Sequence, residues 1–75
     1  MTKKTNDKVF FVSWIIEAYK RKNNMSGEQV ALLFMRHRIS EWLYDNYDVL
    51  HTVSEAYVVN EIEGIIKADN GNQNS

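Results

Sequence analysis

Between Val9 and Tyr19 the apolar positions Val9, Phe10, Val12, Trp14, Ile15, Ile16, Ala18 and Tyr19 recur at separations of three and four, too densely for the alternation of a strand. This spacing predicts a first helix with a broad apolar face. Asn6 or Asp7 is placed to cap its free amides, and Lys20, Arg21 and Lys22 suit the negative end of its dipole before Asn23 and Asn24 stop it. A second helix opens at Gly27. Ser26 and Gln29 form a capping box, with Met25 and Val30 at the two positions of a hydrophobic staple. Val30, Leu33 and Phe34 then share a face, and the helix is expected to close at Arg36 or Arg38. With Ser40 as cap, Trp42, Leu43, Tyr47 and Leu50 trace a third stripe, expected to bend near Asp48.

The fourth helix has two candidate starts: Thr52 in a capping box with Glu55, or Ser54 if the turn is one residue longer. Val58, Ile62 and Ile65 follow at i, i+4 and i+7, while Gly64 within them suggests a close helix crossing. The chain has no proline and three glycines, too little punctuation for a sheet of short strands. The expected fold is all-α, a single small bundle of about four helices. One domain spans 1–75, with an ordered core over about 7–68 and flexible tails at 1–5 and 69–75.

Size limits what such a bundle does. A chain of 8.8 kDa has a folded surface of roughly 4,800 Å² against about 12,800 Å² unfolded, so it buries only about 63% of its surface. With no cysteine it has no disulfide, zinc knuckle or thiol nucleophile, which leaves helix packing or a partner subunit to stabilise it. The same absence, and an N-terminus without an apolar signal core, point to the cytoplasm. Apolar runs such as Val9 to Val12 and Ala31 to Met35 are too short for a membrane span, so no membrane contact is expected.

Charge divides the chain. Residues 1 to 38 carry eight lysines and arginines against Asp7, Glu17 and Glu28, a net of plus five. From Ile39 onward Glu41, Asp45, Asp48, Glu55, Glu61, Glu63 and Asp69 face Lys67 alone, a net of minus six. Such a division steers a basic partner toward the C-terminal half; equally, acids on exposed helix faces keep a small protein in solution. The acids also oppose a helix-turn-helix reading around Arg36, His37, Arg38 and Ile39. A recognition helix bearing Glu41, Asp45 and Asp48 repels phosphates, so nucleic-acid binding by the chain alone is not expected.

Candidate chemistry is sparse. Asp48, His51 and Glu55, spaced by three and four, gather on one face of a continuous helix as a metal or acid–base cluster. The Thr52 cap turns the chain between them, however. His51 is then a turn residue that donates a ring hydrogen bond to Asp48 or to a free carbonyl. His37, beside two arginines, reads as a solvated helix-end residue. No nucleophile, glycine-rich phosphate loop or supported pair of acids is visible, so neither catalysis nor a cofactor is expected. Nine aromatic side chains are more than so small a bundle encloses. Tyr44 and Tyr47, beside Asp45 and Asp48, are the first candidates for an exposed partner-binding patch, against the alternative that both pack inward with hydroxyls at the rim.

From Phe11 to Ile66 the chain resembles a family of very small bacterial proteins classified only as a domain of unknown function. The resemblance rests on EAYKRKNNMSGEQV, then LF, then YDVLHT and EAYVVNEIEGII, about three quarters of the chain. The family often has glycine where this chain has Ser54. Its genes often lie beside those of toxin-like enzymes similar to ADP-ribosyltransferases, which implies an antitoxin-like partner without catalytic activity of its own. An enzyme that takes an anionic dinucleotide commonly presents basic groups for acidic helices to cover. Tyr44, Tyr47, Asp48, His51 and Glu55 are the residues expected to shape the contact. A nucleic-acid-binding accessory subunit using Arg36 and Arg38, and a homo-oligomeric structural protein, are the alternatives.

Overall fold

Ser26 starts the second helix where the pattern places it. Its Oγ accepts the Gln29 backbone N–H at 3.1 Å, and the Ser26 N–H donates to the Gln29 side chain at 2.9 Å. Both halves of the capping box are therefore made. The computed structural model describes residues 2–74, with side chains described over 6–70. Five helices follow one another: α1 (Thr2–Asn23), α2 (Gly27–Arg36), α3 (Ile39–Asp45), α4 (Tyr47–Leu50) and α5 (Glu55–Asn74). Among the described residues there is no strand, and the fold is the expected all-α small bundle.

Each helix end has a local cause. Asn24 takes the left-handed conformation at φ 54°, and the Met25 N–H reaches back to the Lys20 carbonyl at 3.1 Å. This is a Schellman-type end with asparagine in the place glycine usually fills. Arg38 repeats the left-handed turn at φ 55°, so α3 starts one residue before the expected Ser40 cap and without any side-chain cap. The third stripe is also not one helix. Asn46 ends α3, its backbone N–H and side-chain amide both donating to the Trp42 carbonyl at 3.0 and 2.8 Å and its own ψ leaving the helical range at 17°, so the expected bend near Asp48 is a break two residues before it. Of the two candidate starts for the last helix, Ser54 is used. Its Oγ accepts the Tyr57 N–H at 3.1 Å, whereas the Thr52 hydroxyl donates back to the Val49 carbonyl at 2.6 Å.

Two long helices exceed their expected bounds. The α1 backbone runs back to Thr2, past both Asn6 and Asp7, and α5 runs on to Asn74; Met1 and Ser75, at the ends of the expected tails, lie outside the described residues. Gly64 does not mark a crossing, because a Cβ built there meets nothing within 4 Å.

Every helix contributes to one apolar core. Phe11, Ile15, Ala18 and Tyr19 of α1 meet Val30 and Phe34 of α2, Ile39 and Leu43 of α3, Leu50 of α4, and Val58, Val59 and Ile62 of α5. Helix α1 is the common element, packing on α2, α3 and α5. Among the described residues no buried side-chain nitrogen or oxygen lacks a partner.

Candidate functional site

Burying one face of α1 decides which aromatic side chains remain outside. Phe11, Ile15, Ala18 and Tyr19 turn inward, so Phe10 and Trp14, four residues apart, turn to solvent together. They are 72% and 48% exposed, unusual values for large apolar side chains sharing one face. From Trp14 a run of rings passes through the buried Phe11 to α4. Trp14 lies 6.2 Å from Phe11, Phe11 meets the Tyr47 ring edge-on at 5.5 Å, and Tyr47 stacks flat on His51 at 4.5 Å. This aromatic ledge thus has outer rings on α1 (Trp14) and on α4 (Tyr47 and His51), joined through one buried ring.

The expected site residues do not form one cluster. Tyr47, Asp48 and His51 stand within one turn at α4, where Tyr47 is half-buried and the other two are exposed. His51 ends the helix, donating its backbone N–H to Tyr47 O at 3.0 Å, and its ring stacks on that of Tyr47. Tyr44 is half-buried under the Lys8 ammonium, 4.7 Å above its ring. Glu55 is drawn toward α1 by the Arg21 guanidinium at 3.3 Å. Because α4 ends at Leu50 and α5 begins at Glu55, Asp48, His51 and Glu55 share no continuous helix. Among the described residues no group of three or more histidines, aspartates and glutamates is placed to hold a metal.

Much of the charge division is used within the chain. Arg21 pairs with Glu55, Lys22 bridges Asn60 and Glu63 at 3.0 and 3.2 Å, and His37 Nδ1 lies 2.9 Å from Asp69 Oδ2. Three of the seven acids that follow Arg38 therefore fasten α5 to the basic end of α1 and to the α2–α3 elbow. His37 corrects the sequence reading most sharply: its side chain is only 4% exposed, a buried ring held by a carboxylate and not a solvated helix end. Tyr19, buried in the core, has its phenol pushed above its ordinary range by burial first and by the charge of Glu63 second.

A second surface feature lies at the same elbow. Ala31, Phe34, Met35, Arg38, Ser40 and Glu41 line an open groove of about 390 Å³, beside the exposed Leu32 and Met35. Helix α3, which the helix-turn-helix reading would send into a groove of DNA, has seven residues and exposes Glu41 and Asp45.

The profile of a family described as "Protein of unknown function (DUF3791)" matches residues 10–69, four fifths of the chain. The chain belongs to the DUF3791 family. The DUF3791 match takes in Phe10 and Trp14, all of α2, α3 and α4, and both ends of the His37–Asp69 contact. No curated protein and no solved structure matches the chain.

Proposed function

We propose that this DUF3791 chain is a non-catalytic cytoplasmic protein-interaction module, an antitoxin-like partner that binds and neutralises an enzyme similar to an ADP-ribosyltransferase. The observation that carries the binding reading is the joint exposure of Phe10 and Trp14 on one face of α1, with Trp14 linked through the buried Phe11 ring to Tyr47 and His51. Exposed aromatic side chains that share one helix face are the usual anchors of an interface. Support also comes from the small core. The choice of enzyme follows from the gene neighbourhood that the YDVLHT-containing resemblance implies.

In this proposal the contact face keeps the residues expected from sequence and adds Phe10 and Trp14. Tyr47, Asp48 and His51 form its α4 side, Phe10 and Trp14 its centre on α1, and Glu55 with Arg21 its far edge. Tyr44 sits beside it under Lys8.

Co-expression tests the proposal. The enzyme encoded beside this chain in its own host is induced alone and together with the tagged chain, and growth and co-purification are scored. Growth restored by the wild-type chain, with the enzyme retained at fixed stoichiometry, supports the reading; growth arrest with both proteins present and unassociated refutes it.

A further inference from the structure

The outward stripe of α1 carries its own description of what covers it. Asp7, Phe10, Trp14 and Glu17 are separated by three, four and three, so they share one helix face, and all four are exposed. Two aromatics occupy the centre and a carboxylate stands at each end, about 15 Å apart along the axis at the rise of an α-helix. One turn further on, Arg21 is occupied by Glu55 at 3.3 Å, which closes the stripe. Glu17 also touches Lys20 at 3.2 Å, an exposed pair too weak to withhold the carboxylate from a bidentate guanidinium.

A second copy of this chain suits the stripe poorly. A two-fold axis that lays the Phe10–Trp14 pair on its own image, with the helices parallel or antiparallel, sets acid against acid at both ends. Like charges facing across an interface oppose association. Apolar centre and acidic ends together favour a different occupant. We propose that the α1 stripe seats an amphipathic segment of a partner protein, apolar in its middle and bearing arginine or lysine at each end, the basic groups falling on Asp7 and Glu17. This rests on the reading of the chain as an interaction module and names the chemistry of its partner.

The test uses two synthetic helical peptides with the same leucine face, one ending in arginines and the other in glutamates. Each is titrated calorimetrically into the full chain at low salt. The arginine peptide is expected to bind about tenfold more tightly, the effect of two exposed charge pairs. In an Asp7→Asn, Glu17→Gln chain the difference should shrink toward onefold, while Phe10→Ala weakens both peptides. Equal binding of the two peptides, binding of neither, or a wild-type dimer in sedimentation equilibrium that Phe10→Ala dissolves would overturn the proposal. A growth assay separates it from the wider reading. If an Asp7→Lys, Glu17→Lys chain protects against the co-expressed enzyme as well as the wild type does, the basic partner segment is wrong and the neutralising function stands. If the wild type itself gives no protection, the neutralising function is wrong, and the peptide titration still decides the stripe.

Discussion

Phe10 and Phe11 are neighbours in sequence, yet replacing each by alanine should have very different consequences for stability. Phe11 is 6% exposed and its ring contacts those of Trp14 and Tyr47. Truncating a buried phenylalanine costs about 3–5 kcal/mol, the lost transfer free energy plus the cavity left behind. A domain of this length has a total stability of about 4–11 kcal/mol, so Phe11→Ala removes a large part of it and lowers Tm by at least about 12 °C. Phe10, 72% exposed, leaves no cavity, and Phe10→Ala should stay within about 0.5 kcal/mol, or about 4 °C. Thermal and urea unfolding followed by far-ultraviolet circular dichroism reads both. Equal losses, or a larger loss for Phe10, would mean that α1 buries the other face, and the aromatic ledge would go with it.

Three further outcomes follow from the same packing. His37→Ala removes the buried ring that holds Asp69 and should cost about 1–3 kcal/mol, with amide exchange rising first in α5 beyond Ile66. Gly64→Ala should stabilise by about 0.5–1 kcal/mol, since the new methyl meets nothing and glycine is the poorer helix former; unchanged or lower stability in urea would contradict the open space seen there. The third concerns alkali. Folding raises the Tyr19 phenol above its ordinary 10.0, so below that pH both states are protonated and the contribution is intact. Above it the unfolded chain ionises first, and stability falls until the folded phenol ionises too. Urea titrations from neutral pH into alkali should show Tyr19→Phe losing less stability than the wild type; parallel losses would refute this.

The sequence was most legible where a signal is local. Ser26 and Gln29 need only each other to make a capping box, and α1 stops on the left-handed Asn24 with the Asn23 side-chain amide donating to the Tyr19 carbonyl. Choices that depend on distant packing were not legible. The apolar run from Val9 to Ile16 is dense enough to bury either of two faces, so the outward placement of Phe10 and Trp14 appears only once α2, α3 and α5 have taken the other side. His37 between two arginines carries no mark of burial, because its partner Asp69 lies 32 residues away. The bend expected near Asp48 falls at Asn46, whose side-chain amide joins its own N–H on the Trp42 carbonyl and caps α3. The charge division was read correctly as a pattern, but part of it serves the α1–α5 and elbow contacts instead of an outside partner.

If the ledge on α1 and α4 binds the proposed toxin-like enzyme, its two exposed aromatics must carry much of the affinity. Isothermal titration of the purified enzyme with the wild-type chain and with a Phe10→Ser, Trp14→Ser chain reads this directly, helicity being checked for both. Saturable binding by the wild type is expected, with a loss of at least about 100-fold in the double variant, the effect of removing two aromatic anchors of an interface. Equal affinity of the two folded chains, or no binding by either, would contradict it.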